Sequence, residues 1–144
     1  MGNQCSIQRL NFEDMQQIIS NPNNYILINT LSSNFQDCLI PTTINISDEE
    51  TIINKCLNSD KNKHIVIYGK NSNDMSVYDK YEQLVKLGFI YIYIYTGGMF
   101  EWLCLQDIYS DECFPTNKKQ LDILKYKSLS NLKKLYITNV DDID

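Results

Sequence analysis

The chain holds a single arginine, Arg9, and a single histidine, His64, and its 13 basic residues stand against 18 acidic ones for a net charge of -5. A nucleic-acid footprint needs a clustered cationic excess to displace counterions, so no nucleic-acid partner is expected. One histidine cannot furnish a Cys-His relay or a histidine-based metal site by itself, and a strand-edge position suits His64 better. The five cysteines, at positions 5, 38, 56, 104 and 113, form no CxxC pair and are odd in number. With no secretory signal ahead of them, they fit a reducing compartment rather than a disulfide framework. The most apolar stretch, Phe89 to Tyr95, is strand-length, far short of the roughly 18 residues that span a bilayer.

What remains is an ordinary composition for one domain: 144 residues, 43% hydrophobic and 22% charged, enough to bury a single core. The amino terminus is more specific. Met1-Gly2-Asn3-Gln4-Cys5-Ser6 fits the M-G-x-x-x-[ST] pattern in which removal of Met1 exposes the Gly2 amine for myristoylation. A single myristoyl chain binds membranes only marginally and needs a second signal. Arg9 is the only basic residue before Lys55, which leaves Cys5, as an S-palmitoylation site, to supply that signal. The expectation is a peripheral, lipid-anchored protein on the cytosolic face of a membrane.

Hydrophobic periodicity alternates between helix and strand. Phe12, Met15, Ile18 and Ile19 share a helical face that Asn21-Pro22-Asn23 ends. Tyr25 to Asn29 reads as a strand and Ile44-Asn45-Ile46 as a second. Ser47 and Glu50 have the spacing of a capping box opening a helix with Ile52, Ile53, Cys56 and Leu57 on its apolar stripe. Ile65 to Tyr68 is the next strand, followed by a loop and a helix whose Val77, Tyr78, Tyr81, Leu84, Val85 and Leu87 recur at helical spacing before Gly88. Phe89 to Tyr95 reads as a strand with Tyr91, Tyr93 and Tyr95 on one face and Ile90, Ile92 and Ile94 on the other. After the Thr96-Gly97-Gly98 turn, Met99, Phe100, Trp102, Leu103 and Leu105 open a last helix in which Trp102 serves as a packing anchor. Strands alternating with helices predict an α/β domain: a central, mostly parallel sheet of about five strands with helices on both faces. Residues 1–10 are set apart as the acylation segment, 11–127 as the domain and 128–144 as an acidic tail. Asp141, Asp142 and Asp144 lack the spacing of a cation site, and no metal or cofactor is expected.

Within this frame, the loop after the third strand is the natural place for chemistry. Gly69, Lys70, Asn71, Ser72, Asn73, Asp74, Met75 and Ser76 link a buried strand to a helix N-terminus, the setting that steadies a thiolate or an oxyanion through loop amides and the helix dipole. Gly69 supplies only backbone there. Lys70 is the loop's one cation, and the acid Asp74 beside a would-be anion pocket weakens a phosphate or thiosulfate site.

In order along the chain, Ile26-Leu27-Ile28-Asn29, Cys38-Leu39-Ile40-Pro41-Thr42-Thr43-Ile44-Asn45-Ile46, the strand and loop at 65–76, Leu87-Gly88-Phe89, and Tyr95, Gly97, Gly98 and Trp102 resemble the rhodanese-like family. The resemblance runs over about residues 12–126 and implies the family's small α/β fold. It also implies that the family's active-site cysteine, which takes sulfur as a persulfide or attacks a phosphoester in phosphatase relatives, is replaced by Gly69. The loop's terminal basic residue is missing at Asp74 and Met75, and Asn29 and Leu31 stand where an acid and an arginine are usual. Cys56 and Cys104 fall on apolar helix faces, while Cys38 and Cys113 lie in loops and are the candidates for a displaced nucleophile. The expected function is a catalytically inactive, membrane-tethered interaction or scaffold module with a protein partner, whose loop amides could receive a partner's carboxylate or phosphorylated side chain. The alternative is a sulfurtransferase working through Cys38 or Cys113.

Overall fold

A computed structural model describes residues 7–133. Four parallel strands, β1 (Gln8–Leu10), β2 (Tyr25–Asn29), β3 (His64–Tyr68) and β4 (Ile92–Tyr95), form one sheet in the order β1-β4-β3-β2. Between and after them run α1 (Phe12–Ser20), α2 (Ile46–Ser59), α3 (Ser76–Leu87) and α4 (Gly98–Ile108), with short 3-10 turns η1 (Ser33–Phe35) and η2 (Ile123–Tyr126).

The alternation of the strands divides the core in two. Ile26, Ile28, Ile65, Ile67, Ile92 and Ile94 turn toward α2 and α3, where Ile53, Val77 and Leu84 meet them. Leu27, Val66, Tyr68 and Tyr95 turn the other way, onto Met15 and Ile18 of α1 and Met99, Trp102 and Leu103 of α4. Helices therefore cover both faces, as a parallel sheet requires. The Tyr/Ile alternation of the fourth strand is present, but β4 begins only at Ile92: Ile90 is 66% exposed and Tyr91 42%.

Three expectations change. Ile44-Asn45-Ile46 is no strand: the segment makes one isolated bridge, Leu27 to Thr43, and the Ile44 amide donates to the Leu27 carbonyl at 2.9 Å. Asn45 then caps α2, its Oδ1 accepting from the Ser47 amide at 2.9 Å, so the helix opens at Ile46 and Ser47 lies inside it. Accordingly, Asn45→Ala should cost about 1 kcal/mol in urea unfolding and Ser47→Ala only a few tenths. Conversely, residues 8–10, inside the segment set apart for acylation, add an edge strand. Gln8 pairs opposite Tyr93 and Leu10 opposite Tyr95. The expected stop at Gly88 is a left-handed cap with φ of 104°, its amide donating back to Leu84 and Val85. Gly2, Cys5 and most of the acidic tail lie outside the described residues.

Candidate functional site

The C-terminal ends of the strands in such a sheet are where loops gather and ligands bind. Gly69 leaves β3 there, buried, with α3 beginning at Ser76. A Cβ on Gly69 would stand 2.5 Å from Asp74 Oδ2, 2.9 Å from Thr30 Oγ1 and 2.9 Å from Val77 Cγ1. The space is occupied, and its principal occupant is a carboxylate. Asp74 Oδ2 accepts from the Lys70 amide at 2.8 Å, while Oδ1 accepts from the Ser76 amide at 3.0 Å and from Ser76 Oγ at 2.6 Å. Ser76 Oγ also bonds Thr30 Oγ1 at 2.8 Å, which ties the start of α3 to the end of β2.

The amides of Lys70 and Ser76, expected to face a partner's carboxylate or phosphate, thus meet the chain's own Asp74. Asp74, one residue ahead of the N-cap Met75, satisfies the otherwise orphan amide of Ser76 and complements the positive end of the α3 dipole. Other loop groups are spent in the same way. The Asn73 amide donates to Asn71 Oδ1 at 2.9 Å, and the Asp74 amide to the Asn71 carbonyl at 3.2 Å. The Gly69 and Lys70 carbonyls accept from the Met99 and Phe100 amides of α4 at 3.0 and 2.9 Å. That approach requires Gly98, whose φ is 66° and whose Cβ would come 2.8 Å from the Gly69 carbonyl oxygen.

The remaining predicted positions scatter. Lys70 does not point into the loop; its Nζ lies 4.6 Å above the Phe35 ring. Ser72, Asn73 and Met75 are exposed. Asn29 is buried and closed on itself, bonding the Gln36 amide through both side-chain atoms and the Leu31 backbone amide through Oδ1. Leu31 is core. Cys38 is 2% exposed, its Sγ donating to the Lys118 carbonyl at 3.1 Å, and burial pushes its thiol pKa up despite opposing pulls from Thr116 and Lys125. A thiol held neutral and bonded away is poorly set for attack. Burial also raises Cys104, aided by Asp107 and Glu101. Cys56 is half-buried against the α2/α3 core, and Cys113 is exposed in its loop. His64, at the opposite end of β3, has Nδ1 2.8 Å from Tyr93 Oη and stacks on Tyr91. Among the described residues no cluster of His, Cys, Asp and Glu could hold a metal ion.

The Asp74-Ser76-Thr30 network escaped sequence reasoning, although the Asp-Met-Ser run is an Asx-turn pattern that could have signalled it. So did the buried Tyr68 hydroxyl, which accepts from the Ile40 amide at 3.2 Å and lies 2.8 Å from Thr43 Oγ1. Burial raises the pKa of Tyr68 and of Tyr95, the latter also donating to Glu101 at 2.6 Å, and lifts Tyr126 to about 12. An unfolded tyrosine ionises near pH ~10. These raised values therefore lend stability that is fully present below about pH 10 and is lost as pH climbs toward and past 12. Urea unfolding between pH 9 and pH 12, paired with tyrosinate absorbance, should show stability falling before these rings ionise in the folded state.

The family model described as the rhodanese-like domain matches residues 12–104. The chain belongs to the rhodanese-like family. Similar solved structures agree on the rhodanese-like fold. The BH2092 protein of Bacillus halodurans is 19% identical with a TM-score of 0.58, covering 90% of this chain and 89% of that one. An As-Sb reductase from Leishmania major is 16% identical with a TM-score of 0.56, over 93% and 99% of the two chains. The single-domain sulfurtransferase RDL2 of Saccharomyces cerevisiae is 15% identical with a TM-score of 0.54, over 74% and 97%. No curated protein sequence matches the chain. Among the described residues, no helix of this rhodanese-like domain is long and apolar enough to cross a membrane.

Proposed function

We propose that this rhodanese-like domain carries out no sulfur or phosphoryl transfer and acts as an interaction or scaffold module for a protein partner, held at the cytosolic face of a membrane by acyl groups on Gly2 and Cys5. One observation carries the loss of catalysis: a carboxylate, itself held by three hydrogen bonds, stands 2.5 Å from where any side chain on Gly69 would begin. A nucleophile there would need both the missing side chain and the space Asp74 fills. Nor would the loop welcome an anionic substrate, because its inward amides already serve an anion of like charge. The burial of Cys38 speaks against that residue as the displaced nucleophile and leaves the exposed Cys113 to the test below.

Purified protein supplied with thiosulfate and cyanide should release thiocyanate no faster than the uncatalysed reaction. Turnover that Cys38→Ser or Cys113→Ser abolishes would establish the sulfurtransferase instead. The anchor is supported by the Met1–Ser6 motif and is tested separately: Gly2→Ala should move the protein from the membrane to the soluble fraction, and unchanged membrane association would refute it.

A further inference from the structure

Residues 118–134 contain six of the chain's 13 basic residues and one of its 18 acids, so this stretch carries +5 while the rest of the chain carries -10. Leucines are interleaved with the lysines, and four of them lie open: Leu121 is 82% exposed, Leu124 64%, Leu129 80% and Leu132 80%. A single exposed leucine is commonplace, but four along one segment between lysines are not.

The fold explains why they stay outside. In a 3-10 turn, residues three apart share a face. Ile123 and Tyr126 take the inward face of η2, Tyr126 buried against Phe35 with ring centroids 5.2 Å apart. Leu124 is left on the outward side of the turn, and Leu121 lies exposed just ahead of it. Asn71 Nδ2 donates to the Tyr126 carbonyl at 2.9 Å, fixing this face to the loop at the sheet's C-terminal end. Just beyond, Lys127 and Leu129 line an open groove of about 530 Å³ to which Lys70 also contributes. Lys118, Lys127 and Lys133 are exposed, and Lys119 pairs with Asp111 at the surface.

We propose that this lysine- and leucine-rich face is a contact surface for an anionic lipid bilayer, its leucines entering the interfacial region and its lysines meeting the headgroup charges. Interleaved apolar and cationic side chains suit a bilayer interface, which offers both an acyl boundary and a negative surface. A nucleic acid would leave the leucines without a partner. The choice of a bilayer over an acidic protein rests on the membrane reading above, in which acyl groups on Gly2 and Cys5 hold the domain against a bilayer. Along the strand direction the separation is short. Gln8 stands level with Tyr93, two residues or about 7 Å of strand from the Tyr95 level at the loop end. The five residues from Gly2 to Ser6 can extend up to about 17 Å.

The test uses full-length protein made in bacteria, which lack N-myristoyltransferase, so that only the protein surface is measured. It should sediment with vesicles of phosphatidylcholine containing about one-third phosphatidylserine and not with phosphatidylcholine alone, and salt near ~1 M should release it. At roughly five-fold per lysine, Lys118→Gln/Lys127→Gln/Lys133→Gln should weaken binding about 100-fold. Leu129→Ser/Leu132→Ser should weaken it at unchanged charge. These side chains are exposed, so the variants should keep the wild-type circular dichroism. No sedimentation of the unacylated wild type, or wild-type binding by the triple lysine variant, would overturn the proposal. Labelling of Gly2 with an alkyne myristate tests the anchor independently: label without vesicle binding removes only this surface, and vesicle binding without label removes only the anchor.

Discussion

Gly69→Cys should give a less stable domain that still fails to turn over thiosulfate. The new Cβ would crowd groups from three elements: Asp74 in the loop, Thr30 after β2 and Val77 in α3. Overpacking of this kind costs about 1–3 kcal/mol, and it falls on a carboxylate that cannot step aside without giving up the Lys70 amide and both Ser76 donors. The sulfur would also face a like charge, which opposes thiolate formation. Gly69→Cys combined with Asp74→Ala removes the tightest contact and frees the two amides. The double variant should therefore be more stable than the two single losses sum to, by about 0.5–3 kcal/mol of coupling. Urea unfolding of the four proteins measures this, and a single Gly69→Cys variant with wild-type stability and measurable turnover would contradict the account.

Trp102→Ala should be the most damaging single substitution, costing about 3–5 kcal/mol of the roughly 5–15 kcal/mol that holds a domain of this kind. Trp102 is fully buried, edge-on to Tyr95 at 6.1 Å and to Phe114 at 5.1 Å. Its Nε1 donates to the Pro115 carbonyl at 2.8 Å, so one side chain joins the sheet, α4 and the chain beyond α4. Trp102→Phe keeps much of the packing but strands that carbonyl, an expected loss of about 1–3 kcal/mol. As this is the chain's only tryptophan, unfolding must be followed by circular dichroism. Melting of Trp102→Ala within a few degrees of wild type would refute its role.

The order of helices and strands was legible because each main element carries its own period, and the alternation of strand with helix left a parallel sheet as the simple solution. Gly88 marked the end of α3 because a left-handed cap wants glycine. What stayed hidden depends on partners distant in sequence. Gln8–Leu10 is too short to show a period and is a strand only because β4 lies beside it. Ile44-Asn45-Ile46 has strand-like alternation, yet its asparagine is a better helix cap than a ladder residue. At the loop, the absence of a side chain at Gly69 was plain from the sequence. That Asp74 turns inward to fill the space could not be read there, because it rests on the direction of a carboxylate and on Thr30, 44 positions before it. Residues 109–133 have no period and are held by single anchors such as Phe114 and Tyr126.

The pairing of β1 with β4 also sets a schedule. Gln8 meets Tyr93, 85 positions later, so the first strand has no place to dock until most of the domain has been synthesised. At about 5–20 residues per second that delay is roughly 4–17 s on the ribosome. Through that interval residues 8–10 have no strand to pair with, and the sheet gains its edge only after β4 has emerged.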